Sequence, residues 1–121
     1  MIIGTGVDIT EVRRLRQAIE KWGEAFLDRV FTKVELENAK KRGSLYQHLA
    51  GRFAAKEAIF KALGDEHLSW KDLEILNDKQ GKPYCKVLNP TIRKAEIQIS
   101  ISHVKNYAVA NAIATQKSKS S

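Results

Sequence analysis

The chain contains a single cysteine, and aromatic residues make up only 7% of its 121 positions. One cysteine, Cys85, cannot close an internal disulfide or build a cysteine metal site, which fits a reducing compartment. It lies in a strand-like stretch, Lys82 to Val87, with no adjacent histidine to activate it as a nucleophile. Sparse aromatics leave no strand that pairs aromatic with basic residues as a base-stacking platform. No apolar run nears the roughly 18 residues of a membrane span, and no signal peptide is evident, so the expectation is a cytoplasmic protein without a membrane partner.

What is present is charge. Charged residues are 29% of the chain and apolar ones 43%, the balance of a globular domain, and the length allows one core. The domain is expected over residues 1–115, with 116–121 a disordered Lys/Ser tail. Of the net charge of +7 that tail carries two, through Lys117 and Lys119. The remainder calls for an anionic partner: a phosphorylated ligand, nucleic acid or an acidic protein.

The longest signal is Ser44 to Gly64. Ser44 and Gln47 have capping-box spacing, and Gly64 suits the left-handed residue that closes a helix. Leu49, Phe53, Ile59, Phe60 and Leu63 share one side with Arg52 and Lys56. Ala50, Ala54, Ala58 and Ala62 form the other, with Glu57 and Lys61 among them. A surface helix would gather its charges on one stripe, so this one is expected to be buried, its charges partnered. Two readings stand for Glu57 and Lys61: an ordinary i,i+4 pair, or charges held in a cleft for a polyanion and its metal.

Elsewhere the pattern predicts short elements. Met1 to Asp8 reads as a strand ending in an acid, which is either part of a helix entry or a hard ligand for a divalent cation. Thr10 is the expected N-cap of a helix to Trp22, with Val12, Leu15, Ile19 and Trp22 as its core stripe. Arg13, Arg14 and Arg16 lie off that stripe, either merely solvated or a docking face for an acidic partner. Glu24 to Val30 is helical, and Thr32 with Glu35 makes a capping box for a helix through about Lys41. Glu35 is most simply the reciprocal cap; facing a cleft, it would serve as a general base. Strands are expected at Asp72–Asn77, Lys82–Leu88, Glu96–Ser102 and Tyr107–Ala114, with a short helical turn from Asn89 to Ala95. The order gives an α+β domain, with an N-terminal strand and helices before an antiparallel sheet packed on the long helix.

Several stretches together resemble holo-(acyl-carrier-protein) synthase, the small trimeric class of phosphopantetheinyl transferase. They are Gly6-Val7-Asp8-Ile9 with Glu11 and Arg14, Thr32-x-x-Glu35, and Gly51-Arg52-Phe53-Ala54-Ala55-Lys56-Glu57-Ala58 with Lys61 and Gly64. Trp70, Asp72, Glu74, Gly81-Lys82-Pro83 and Ser100-Ile101-Ser102-His103 complete the set. The resemblance implies transfer of the phosphopantetheine arm of coenzyme A to a serine of apo-acyl carrier protein, a step of fatty acid biosynthesis, by a homotrimer with sites between subunits. It implies Mg²⁺ on Asp8 and Glu57, with Lys61 reaching the same phosphates. Arg52, Lys56, Lys61, Gly64, Gly81, Lys82, Pro83 and His103 match the coenzyme A cradle. Glu35 matches a proposed base, and Arg14, with Arg13 and Arg16, matches the docking helix for the carrier protein. One departure stands out: relatives commonly continue with Gly-Thr-Gly where this chain has Gly64-Asp65-Glu66.

A small basic nucleic-acid-binding protein is the alternative, favoured by charge and the arginine helix and disfavoured by the few aromatics. Asp8 and Glu57 would also repel phosphates unless a metal lay between them. A non-catalytic carrier-protein binder would have no need of Asp8, Glu57 and Lys61 together.

Overall fold

The fold is described from a computed structural model, over residues 1–64, 68–89 and 95–117. Strand β1 (Ile2–Glu11) leads into helices α1 (Val12–Trp22), α2 (Glu24–Val30), α3 (Lys33–Lys40) and the long α4 (Leu45–Leu63). A 3₁₀ turn at Trp70–Asp72 precedes the hairpin β2 (Leu73–Asn77) and β3 (Pro83–Val87), followed by β4 (Ala95–His103) and β5 (Tyr107–Gln116). An antiparallel sheet of order β1-β5-β4 lies across α4, and β2-β3 forms a separate two-stranded sheet.

Small residues set how closely α4 meets that sheet. Ala54, Ala58 and Ala62 on the helix and Ala110, Ala112 and Ala114 on β5 are all buried in one cluster. A Cβ on Gly4 would stand 2.0 Å from the Ala62 carbonyl oxygen, and one on Gly6 2.0 Å from that of Ala58. No side chain fits there, so β1 passes the helix as bare backbone. The alanine face of α4 therefore makes room for a strand.

A second cluster joins Val12, Leu15, Val30, Phe31, Ala39, Leu49 and Ala50 beneath α1 to α3. Trp22, expected in the core stripe of α1, is 60% exposed and lies under the Lys21 ammonium instead, 5.0 Å from its ring. Strand β1 runs three residues past Asp8, because β5 pairs with it as far as Glu11↔Tyr107. Helix α1 consequently starts at Val12 without a side-chain cap, and Thr10, the expected N-cap, donates to the Asp8 carboxylate at 2.9 Å.

The Thr32–Glu35 capping box is formed, and Gly64 closes α4 with φ of 64°. Ser44 makes no side-chain cap on α4. Strand β5 extends through Gln116, whose amide donates to the Met1 carbonyl, so Gln116 belongs to the sheet, and residues 118–121 of the expected tail lie outside the described residues. Residues 65–67 and 90–94, which hold the departing Asp65-Glu66 pair and most of the expected turn after Asn89, lie outside the described residues.

Candidate active site

Two groups of polar side chains flank α4. The first forms where β1 crosses the C-terminal half of the helix. Asp8 faces inward from β1, paired to Ala110 of β5, because the strand alternates outward Val7 and Ile9 with inward Asp8 and Thr10. The Lys61 ammonium donates to the Val7 carbonyl at 2.9 Å and stands 3.5 Å from the Asp8 carboxylate. Glu57, half-buried one turn earlier, has its carboxyl pKa raised, first by burial and then by the negative charge of Asp8; Lys61 opposes the shift. Among the described residues, the ion pair of Lys61 is with Asp8, so the i,i+4 reading of Glu57–Lys61 does not hold.

A cavity of about 260 Å³ opens beside this group, lined by Asp8, Thr10, Glu11, Arg14, Phe26 and Phe53 among others. Arg14, on the exposed side of α1, thus shares a wall with Asp8. Arg13 and Arg16 are exposed as well; Arg16 pairs with Glu20 and covers the Tyr46 ring at 5.1 Å.

The second group lies toward the N-terminal half of α4. The Arg52 guanidinium donates to the Asn77 side-chain carbonyl, and the Asn77 amide donates to the Gly81 carbonyl at 2.9 Å. That link ties the helix to the turn of Asp78 to Lys82, where Gly81 has φ of 88° and the Asp78 carboxylate accepts from the Lys82 amide. Lys82 and Pro83 line a groove of about 400 Å³ with Gln98, Ser100 and Asn111. His103, at the end of β4, is exposed and passes Gly51, where an added Cβ would meet its ring at 3.9 Å.

Sequence reading missed His48 in this group. It sits one turn before Arg52 and is buried. Its pKa is lowered to about 4 by burial, then by the charges of Arg52, Arg42 and His103. Among the described residues, His48 Nε2 and Arg52 Nε are buried without a hydrogen-bond partner, and burial brings the Arg52 pKa down to about 10. The i,i+4 spacing of a histidine and an arginine on one helix was the available signal. Unspent donors beside several positive charges suit an anion.

Two expected site residues lie elsewhere. Glu35 and Lys56 are enclosed together in the core, each side chain 0% exposed, and neither opens onto the groove or the cavity. The chain thus encloses both side chains against each other, where the expectation had Lys56 in the cradle and Glu35 facing a cleft. Cys85 is likewise inert, since burial raises its thiol pKa to about 12.

Residues 4–112 match the sequence model of the 4′-phosphopantetheinyl transferase superfamily, ACPS. The chain belongs to that family. It is 48% identical over 122 residues to a holo-[acyl-carrier-protein] synthase of Fusobacterium nucleatum, covering 93% of this chain and 98% of the relative. The fold is similar to the crystal structure of the holo-[acyl-carrier-protein] synthase of Neisseria meningitidis, with TM-score 0.87, 32% identity, and 96% and 100% of the two chains covered. It is also similar to the Bacillus anthracis holo-(acyl-carrier-protein) synthase solved in complex with CoA (3′,5′-ADP). There the TM-score is 0.83 at 36% identity, covering 97% and 99%. Similarity of this extent places the transferase among the holo-(acyl-carrier-protein) synthases and accounts for the α+β architecture.

Proposed function

We propose that this transferase moves the 4′-phosphopantetheine arm of coenzyme A to a serine of apo-acyl carrier protein, releasing adenosine 3′,5′-bisphosphate, as a cytoplasmic, magnesium-dependent homotrimer serving fatty acid synthesis. The observation that carries the site is the convergence of Asp8 and Glu57, from a strand and a buried helix, with Lys61 beside them.

The residues fit magnesium. Burial and Asp8 together oppose ionisation of Glu57, and a divalent cation between the two carboxylates would relieve both effects. Among the described residues no three His, Cys, Asp or Glu side chains cluster as a cage. A pair of hard ligands completed by waters and substrate phosphates is what Mg²⁺ favours over zinc. When bound, the ion supplies charge neutralisation to the pyrophosphate.

The chain's own groups do the rest. The serine oxygen releases its proton to solvent and bonds to the phosphorus that bears the pantetheine arm, the bridging P–O bond breaks, and the electron pair leaves on the adenosine bisphosphate. Lys61, held by Val7 and Asp8 and 54% exposed, meets the phosphate oxygens as their charge shifts. Arg52, His48, His103 and the Gly81-Lys82-Pro83 turn offer donors for the nucleotide end, and Gly64 at the helix end has no described neighbour where a Cβ would stand. Arg14, Arg13 and Arg16 present the basic face for an acidic carrier protein, with Arg14 on the wall of the Asp8 cavity.

Helix geometry supports a site shared between subunits. Arg52 and Glu57 are five residues apart, so they point roughly 140° away from each other around α4. One ligand touching both groups within a chain would have to pass the helix; a neighbouring copy removes that conflict. The outward face of the sheet suits such a neighbour, with Val7 60% and Ile9 65% exposed beside Val109 and Tyr107.

The test is mass spectrometry of apo-acyl carrier protein incubated with this protein and coenzyme A, with magnesium or with chelator. The expected result is a gain of one phosphopantetheine that requires metal. Transfer that persists in chelator would remove the metal assignment, and no transfer to any carrier protein would remove the activity.

A further inference from the structure

Glu35 and Lys56 spend their hydrogen bonds on the fold. Lys56 Nζ lies 2.7 Å from Glu35 Oε1 and donates also to the Val30 carbonyl at 2.8 Å and the Trp70 carbonyl at 3.0 Å. Those are all three ammonium hydrogens. The Glu35 carboxylate further accepts the Thr32 amide at 2.9 Å and the Ile75 amide at 2.7 Å. Thr32 in turn donates its hydroxyl to Glu74 at 2.6 Å. Among the described residues no ammonium hydrogen is left over for a phosphate, and the carboxylate, 0% exposed with three of its about four acceptor sites taken, is closed to a serine hydroxyl.

We propose that Glu35 and Lys56 are positioning residues: the pair fixes the roll of α4 about its axis and thereby holds Glu57 and Lys61 toward Asp8, without touching either substrate. The need arises on the sheet side. There β1 and β5 meet α4 through Gly4, Gly6 and alanines, which set distance but offer few ridges to resist rotation, and larger side chains come mainly from β4, through Ile99. On the opposite side, the knot ties α4 to the end of α2, the cap of α3, the 3₁₀ turn and β2 by directed bonds.

A buried ion pair contributes little net stability compared with apolar packing, but its geometry is specific. Specific geometry is what a roll constraint requires, because Glu57 directly follows Lys56 and inherits its orientation. The bond to the Trp70 carbonyl extends the constraint. Trp70 stacks on Phe53 at 4.8 Å and meets Phe60 edge-on at 5.0 Å, so the same knot anchors the chain that returns after Gly64.

The inference rests on the metal reading of Asp8 and Glu57 for what is being positioned. Its test is Glu35→Gln, which keeps volume and an acceptor oxygen, studied in the assembled protein. Three readouts apply: the pH profile of turnover, the Michaelis constants, and Mg²⁺ binding by titration calorimetry without carrier protein. Displacement of the site groups by a fraction of an ångström is expected to lower kcat roughly 10-fold and weaken Mg²⁺ binding by a similar factor. The Michaelis constant for carrier protein and the acidic limb of the pH profile stay in place.

Loss of the acidic limb with Mg²⁺ affinity intact would make Glu35 the base and overturn the proposal. Wild-type turnover and affinity would overturn it too. If Glu35→Gln does not fold, the double variant Glu35→Gln with Lys56→Met buries no charge and must show the same losses; wild-type behaviour there overturns the proposal. Glu57→Gln runs alongside: unchanged Mg²⁺ affinity in that variant defeats the metal reading, and the pair is then judged on kcat and the pH profile alone.

Discussion

Helix α4 carries two lysines five residues apart, Lys56 and Lys61, and each meets a carboxylate. Lys56 is 0% exposed, 2.7 Å from Glu35, with its other two donors on carbonyl groups. Lys61 is 54% exposed, 3.5 Å from Asp8, with one firm bond to the Val7 carbonyl. The first pair is closed on itself, and the second keeps donor capacity facing solvent. A charge whose bonds are all spent inside the protein can only hold structure, whereas one with free donors can meet a substrate. The comparison teaches that position in a motif does not assign a role; the count of unspent hydrogen bonds does.

The comparison breaks most visibly with Lys56→Met. Removing the ammonium leaves the Glu35 carboxylate buried beside two carbonyl oxygens, an uncompensated charge. The expected loss is about 3–5 kcal/mol of stability, read by urea denaturation at fixed protein concentration. A loss under about 1 kcal/mol would mean that water reaches Glu35 or that the carboxylate takes a proton at little cost.

Lys61→Ala should behave in the opposite way. Its exposed pair is expected to be worth no more than about 1 kcal/mol, while phosphopantetheine transfer falls on the order of 10²-fold through lost charge stabilisation. Unfolding curves and initial rates on the same preparation check both halves. A stable variant with full turnover would remove Lys61 from the reaction.

His48 sharpens the contrast on a smaller scale, as a buried base whose Nε2 has no partner among the described residues. Its pKa lies near 4 in the fold against 6.5 for the free side chain, because burial and the charges of Arg52, Arg42 and His103 oppose protonation. The unfolded chain therefore binds a proton that the fold refuses. The contribution of His48 is whole above about pH 6.5 and is lost as pH falls toward about 4. His48→Gln should flatten that part of the stability profile in denaturation experiments from pH 7 to 4. An unchanged slope would assign the acid sensitivity to the carboxylates.

Much of the molecule was legible in its residues. Alternation placed β4 and β5, the Thr32–Glu35 box placed α3, and Gly64 placed the end of α4, because each of those signals is local and obeys a backbone rule. Asp8, Glu57 and Lys61 stood out as candidate site residues through a resemblance, and the fold brings Lys61 within 3.5 Å of Asp8. Trp22 misled because an apolar period does not say where a helix runs out of neighbours. The start of α1 misled because the partner strand β5 prolongs β1, which no property of Thr10 announces.

Element types, the buried character of α4 and membership of the transferase family follow from the residues alone, since periodicity, caps and motif order are properties of the chain. The destination of each charge was decided only in three dimensions. Glycines 4 and 6 let β1 press against α4, which puts Asp8 next to Lys61, while on the opposite side of the helix Lys56 is enclosed with Glu35, Val30 and Trp70. Those contacts join residues 14 to 54 positions apart. Sequence spacing carries no information about such distances; close packing sets them.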